Sequence, residues 1–474
     1  MERMNPLDAL FLDLEDEDRH ASLAIASIGV FEGPAPAQAD LVAAVGGMLP
    51  LMPRYRQKVR QLPLDLGRPV WVDDPRFDLR YHVRRTALPA PGGDAELRRL
   101  MARVMGQRLD RDRPLWEYWV VDGLAQGRWA LISKVHHCMV DGVSGTNLYH
   151  VLLDGSSEPG PGAEDTWQPA PEPSTIRLMA WSALDLALNP VEQLRLLAAE
   201  LRSPGRLARR ALQTARGLGE LARVLAPTGD SSLSGRIGQQ RRYALVRASM
   251  PDVAAVRRRF GGTANDIFLA AISGGFRALL LARGETPGPH LIRSLVPVSV
   301  RARGDEGIYE NRISIMLVFL PVDVADPVER LEAVRQRLAA AKASKEAEAG
   351  EAMTSLARHE PFPPVSLALR VASRLPQHQI TTVTTNVPGP RRPLSLLGRR
   401  LVEVFPYVPI ATTLRFGVSI MSYCDQLTFG ITGDYDTAPD IDALARGIAD
   451  SLAELVGLAG ARRPAAADAG APPG

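Results

Sequence analysis

The chain has 474 residues, of which 46% are hydrophobic and 23% charged, with a formal net charge of +3. That length predicts two domains of roughly 200 residues each, and the nearly balanced charge argues against a dedicated nucleic-acid binder. Two cysteines, Cys138 and Cys424, are too few for a disulfide framework or a four-ligand zinc site.

Lysine occurs only at positions 58, 134, 342 and 345, and arginine supplies every other basic residue. We read this as compositional bias, with a minor allowance for phosphate or headgroup binding. The opening Met1–Pro6 has no basic stretch leading into an apolar one, and no run of about 18 apolar residues follows. The expectation is a cytoplasmic protein.

In chain order, Leu7–Glu15 is a short amphipathic segment and Ser22–Phe31 a strand. A helix is predicted at 38–49, with a proline-rich turn at Leu49–Pro53. Phe77–Val83 reads as a strand and Ala95–Leu109 as a helix. Pro114-Leu115-Trp116 opens a buried strand to Asp122 and anchors it with an aromatic.

Trp129–Val135 is an apolar, β-branched run and reads as a further strand. It ends in His136-His137-Cys138-Met139-Val140-Asp141-Gly142, after which a Ser or Thr cap leads into a helical pattern to Leu153. A histidine there can act as general base on a hydroxyl and return the proton to a leaving group. Gly142 permits a tight turn, and Asp141 is close enough to fix the loop. The competing reading is one satisfied core histidine beside one surface histidine; the Asp-Gly spacing favours function. Cys138 is expected to face the core.

Gly155–Pro173 should be an exposed loop. Ile176–Leu225 carries apolar residues at helical spacing with many arginines. It is either a solvated helix pair bridging two domains or a basic surface that rests on anionic lipid. The second half starts near Arg241. Thr263 caps a long helix to about Ala282, with Asp266 completing a capping box. Strands are predicted at Leu291–Arg301 and Asn311–Val322, and an exposed charged helix at 328–349.

Thr384-Thr385-Asn386-Val387-Pro388-Gly389-Pro390 ends a strand in a turn. Leu414–Tyr423 and Leu427–Asp434 form a hairpin whose turn, Cys424-Asp425-Gln426, lacks glycine, so Asp425 is expected to take slight strain. The tail beyond Gly460 is expected to be disordered. No GxSxG elbow and no GxxxxGK loop occurs. Adjacent histidines without a carboxylate triad are a poor metal site.

The motif HHxxxDG at His136–Gly142, with Arg108-Leu109-Asp110-Arg111-Asp112-Arg113-Pro114-Leu115-Trp116-Glu117 before it, resembles the bacterial wax ester synthase/diacylglycerol acyltransferases. These belong to the chloramphenicol acetyltransferase-like superfamily. The resemblance covers nearly the whole chain. It implies an α/β fold of two such domains with mixed sheets and helices, and an active-site tunnel at their interface. The corresponding boundaries are 1–155, a loop and helical linker at 156–240, 241–458, and a tail at 459–474.

The resemblance also implies chemistry: His137 is the general base that lets a lipid hydroxyl attack the thioester of a fatty acyl-CoA, without an acyl-enzyme. Asp141 would hold the loop, through an arginine that the sequence does not identify, and His136 and Gly142 would support it. Pro114, Leu115 and Trp116 would line the acyl tunnel as an alternative to a core role. Asn265 and Asp266 would contact substrate, Asn265 by donating to an oxyanion, as an alternative to the cap reading.

No cofactor is implied beyond acyl-CoA as substrate. The implied partners are fatty acyl-CoA, a lipid alcohol acceptor such as diacylglycerol or a long-chain alcohol, and a membrane or lipid-droplet surface at the inner face of the membrane. No nucleic-acid partner is implied, and oligomeric state and acceptor preference stay open. Three departures stand out: Arg19-His20-Ala21 where relatives carry Met-His, Thr385 for serine, and the glycine-free hairpin turn. The alternatives are a carrier-protein-dependent or condensation-type enzyme of the same superfamily, and a degenerate lipid-binding member.

Overall fold

A computed structural model describes residues 2–62, 68–139, 153, 167–180, 231–299, 313–343 and 380–460. The elements begin with β1 (Glu2–Arg3), α1 (Pro6–Glu17), β2 (Ala24–Phe31), α2 (Gln38–Met48), β3 (Gln57–Arg60) and β4 (Val70–Asp73). Then come α3 (Leu79–His82), β5 (Val83–Ala87), α4 (Asp94–Met105), β6 (Trp116–Leu124) and β7 (Arg128–His136). The second half has β8 (Arg241–Ser249), α5 (Met250–Phe260), α6 (Ala264–Ala282), β9 (Arg293–Ser299), β10 (Ile313–Phe319) and α7 (Pro327–Ala343). It closes with β11 (Thr382–Pro388), β12 (Ser395–Leu396), β13 (Arg399–Tyr407), β14 (Phe416–Tyr423), β15 (Gln426–Asp434) and α8 (Ile441–Gly460).

Two mixed six-stranded sheets carry the fold, one ordered β12-β13-β2-β7-β6-β5 and the other β10-β9-β11-β14-β15-β8. In the first, only β5 and β6 run parallel; in the second, β11 runs parallel to both β9 and β14. A small sheet, β1-β4-β3, stands apart. The cores follow the sheets. Phe31, Trp116, Trp129 and Ile132 belong to the first, and Ile267–Phe276, Phe416, Phe429 and Leu444 to the second.

The sheets do not follow the two halves of the sequence. Strands β12 and β13 leave the second half, with β13 pairing to β2 and β12 to β13, so the first sheet contains residues from both. The carbonyls of β13 then meet the second sheet. Tyr243 on β8 donates to Pro406 O at 2.6 Å, and Thr428 on β15 donates to Val404 O at 2.6 Å. A Cβ at Gly430 would overlap the Pro406 carbonyl, so only glycine allows this approach. At the rim, Arg247 of β8 reaches both Asp94 of α4 and Glu403 of β13.

Most predicted elements are present within a few residues of their expected ends, and three readings are corrected. Phe77–Val83 is not one strand. Asp78 accepts from Arg80 N at 3.0 Å and caps the single turn α3, so β5 starts at Val83. The charged helix, α7, is not simply exposed, because Leu331, Val334 and Leu338 bury one face and Arg330 is 2% exposed. The hairpin strain falls on Cys424, with φ of 51°, and not on Asp425. The predicted long helix, α6, is apolar and long enough to cross a membrane, and 72% of that window is buried as the core helix of the second sheet. The predicted helices after Ser144, most of the linker and the tail beyond Gly460 lie outside the described residues.

Gly430→Ala should lower stability by about 1–3 kcal/mol through overpacking against β13. The check is the urea midpoint, which should fall without a change in the oligomer distribution on gel filtration.

Candidate active site

β7 is apolar through most of its length because it is the central strand between β2 and β6, buried on both faces. Ala24 lies opposite His136 on one side, and Trp116 opposite Val135 on the other. The backbone at the strand end is held from both edges. His136 N donates to Leu115 O at 2.9 Å, and His137 N to Leu23 O at 3.0 Å. The chain then tightens into a 3₁₀ turn at His137–Met139. Two residues upstream, buried Lys134 donates to Val104 O at 2.8 Å and Gln107 O at 2.5 Å, closing the C-terminal end of α4. Burial pushes that ammonium down to about 8.

The adjacent histidines have different surroundings. His136 is 1% exposed. Its Nδ1 accepts from Cys138 N at 3.2 Å and lies 3.0 Å from Cys138 Sγ. Burial pushes the Cys138 thiol up, so it stays protonated and can also donate to Nδ1. Nε2 faces Glu15 Oε2 at 3.5 Å, an electrostatic approach longer than a normal hydrogen bond. Burial lowers the His136 pKa against the pull of Glu15.

Glu15, on α1, is itself 1% exposed. Its Oε1 accepts from Leu23 N at 2.9 Å, and Arg111 Nη2 donates to Oε2 at 2.5 Å. Burial works to raise this carboxyl, but His136, Arg111 and the Leu23 amide together hold it down at about 2. It is an ionised group inside the protein.

His137 keeps partial exposure. One face of its ring stacks on Phe11 of α1, with centroids 4.0 Å apart and planes at 29°. Its Nδ1 is buried without a hydrogen-bond partner among the described residues. Burial, aided by His136, pushes its pKa down to about 4. The ring is therefore neutral at physiological pH and able to accept a proton.

The remaining sequence candidates fall in different places. Leu115 ties into the site through its carbonyl, while its side chain and Pro114 are buried. Trp116 is fully buried, with its ring 4.4 Å from His82 and 5.2 Å from Tyr55, and Nε1 donating to Tyr55 O at 2.8 Å. These contacts place it in the core behind the strand end. Asp266 accepts from Thr263 N at 2.6 Å, and Thr263 Oγ1 accepts from Asp266 N, which forms the helix cap. Asn265, half-buried, occupies the same first turn. Asp141 and Gly142 lie outside the described residues.

Sequence reasoning missed Phe11, Glu15, Leu23 and Arg111. One signal was available: Ala9, Leu12 and Glu15 share a face of α1, and a carboxylate in line with buried positions asks for partners.

The chain matches the wax ester synthase/diacylglycerol acyltransferase catalytic domain over residues 4–268 and the C-terminal domain of that family over 309–456. A probable diacylglycerol O-acyltransferase of Mycobacterium tuberculosis is 42% identical over 463 residues, covering 98% of this chain and 97% of that one. A second, putative enzyme of that name from the same organism is 34% identical over 458 residues, covering 97% and 92%. The solved wax ester synthase/diacylglycerol acyltransferase of Marinobacter aquaeolei VT8 superposes with a TM-score of 0.65 at 26% identity, covering 97% of this chain and all of that one. A condensation domain of the calcium-dependent antibiotic synthetase, at 15% identity and TM-score 0.56 over 97% and 96%, shares the fold. The chain belongs to the wax ester synthase/diacylglycerol acyltransferase family and is an acyltransferase.

With His137 as the base, its lowered pKa sets a pH dependence. The free-enzyme kcat/KM should stay level as pH falls through the ordinary histidine value of about 6.5. Its acid limb should appear nearer pH 4. The check is initial rate at limiting acyl-CoA across pH 4–9. The sign for stability is parallel: the unfolded chain takes up the proton first, so this histidine lowers stability as pH falls from about 6.5 toward 4.

Proposed function

We propose that this enzyme transfers a fatty acyl group from acyl-CoA to the hydroxyl of diacylglycerol or of a long-chain alcohol. The products are triacylglycerol or a wax ester. The observation that carries the reading is His137: neutral, partly open to solvent and fixed at a rigid strand end. The names of the relatives, diacylglycerol O-acyltransferases among them, supply the substrate class.

In the proposed mechanism His137 takes the proton from the acceptor hydroxyl as the oxygen attacks the thioester carbonyl. The tetrahedral intermediate carries an oxyanion, toward which Asn265 is assigned as a donor. As the C–S bond breaks, the protonated His137 returns its proton to the departing CoA thiolate. One acyl–sulfur bond is exchanged for one acyl–oxygen bond, with no acyl-enzyme between. The HHxxxDG motif assigns Asp141 and Gly142 to the loop after the base, and the proposed reaction invokes no cofactor. Because the acceptor is a lipid, the reading includes peripheral contact with a membrane or lipid droplet from the cytoplasmic side.

The test is thiol release from palmitoyl-CoA with diacylglycerol, with hexadecanol and with no acceptor. Wild type should release thiol only with an acceptor, and His137→Ala should lose about 100-fold or more of that rate. Release that ignores the acceptor, or survives His137→Ala, contradicts the reading.

A further inference from the structure

One face of α1 meets both histidines. Phe11 stacks on His137 and Glu15 faces His136, two residues one helical turn apart addressing two neighbours on the turn that ends β7. The helix end that carries Glu15 is itself unfavourable. Glu15, Asp16 and Glu17 crowd the negative end of the helix dipole, and no basic residue lies in its last turn. The compensation comes from the segment before β6. Arg108 donates to the carbonyls of Glu15, Asp18 and Ala21, and Arg111 donates to the Glu15 carboxylate and to Asp16.

The carboxylate anchors the Leu23 amide and Arg111, at the desolvation cost of a buried ion. A leucine at a position 1% exposed would bury its side chain without the desolvation cost of an ion. Beyond accepting from Leu23 N and Arg111, the carboxylate faces His136 Nε2, where it can select a tautomer. His136 Nδ1 receives the Cys138 N–H, so in the neutral ring the proton belongs on Nε2, the nitrogen that faces Glu15. With the proton on Nδ1 instead, two donors would face each other and the His137–Met139 turn would lose its tie.

We propose that Glu15 is a positioning residue of the acyl-transfer site, which holds His136 as the Nε2–H tautomer and thereby fixes the turn that orients His137. It acts through His136 and touches neither substrate nor the reacting atoms. The proposal rests on the reading of His137 as the base.

The experiment uses the full chain and Glu15→Gln. The amide has one acceptor oxygen where Leu23 N–H, Arg111 and His136 Nε2–H require two, so its NH2 group must meet a donor or His136 Nε2. Two readouts are taken: the ring ¹⁵N shifts of His136 in [¹⁵N]histidine-labelled protein, and kcat and KM for palmitoyl-CoA. Wild type should show the Nε2–H form. Glu15→Gln should show the Nδ1–H form appearing, with kcat down about 10- to 100-fold and KM changed less than about twofold.

A folded Glu15→Gln enzyme with wild-type ring shifts, or with wild-type kcat while His137→Ala is inactive, overturns the proposal and leaves Glu15 a structural anchor. If His137→Ala is instead fully active, the base assignment fails, and the ring shifts still decide the tautomer. Should Glu15→Gln not fold, Glu15→Asp keeps the charge but ends one methylene short of His136. It should give the same change in tautomer and kcat, and wild-type values would again overturn the proposal.

Discussion

The site depends on the end of β7 being held from both sides. A lone strand end frays, but here the amides of His136 and His137 are bonded to Leu115 on β6's side and Leu23 on β2's side. Val135, just behind the histidines, and Ile132, farther back along β7, are locked in the first core. A side chain delivered from such a position loses little of its orientation to loop motion, which is the entropic advantage the proposed proton transfer needs. The same burial, though partial, keeps His137 uncharged.

Much of the surrounding electrostatics follows from that burial. A histidine pair in an apolar setting invites no charge, yet Glu15 is ionised beside His136 because an arginine and a backbone amide share its oxygens. The segment Arg108–Trp116 thus has two tasks in the structure. Its arginines hold the acidic end of α1, and its Leu115 carbonyl fixes the first histidine. Farther out, the crossing of β12 and β13 into the first sheet joins the two halves of the chain. Close contacts at Pro406 and Val404 then set the second sheet against it.

Periodicity revealed elements whose burial matched their pattern. The run Trp129–Val135 was legible as a strand because it is buried on both faces, and Thr263–Ala282 as a helix because its cap and its apolar length agree. Phe77–Val83 misled because its alternation fits period two, while one local bond, Asp78 to the Arg80 amide, selects a helical turn. Cys424 took the positive φ that Asp425 was expected to take. Strand β13 and the small sheet were not anticipated, since β13 is specified by distant partners in β2 and β15. At the site, the histidines were legible from the motif. Glu15 and Phe11 were not, because their role arises from contacts about 120 residues away in sequence.

In the proposed direct transfer, His137 activates the acceptor and the acyl group never resides on the protein. Intact-mass spectrometry after rapid acid quench of stoichiometric palmitoyl-CoA and enzyme, without acceptor, tests it most directly. Direct transfer leaves the protein unmodified at every time point, with thiol released only once acceptor is added. A protein population heavier by one palmitoyl group, formed and consumed at rates matching turnover, would contradict it.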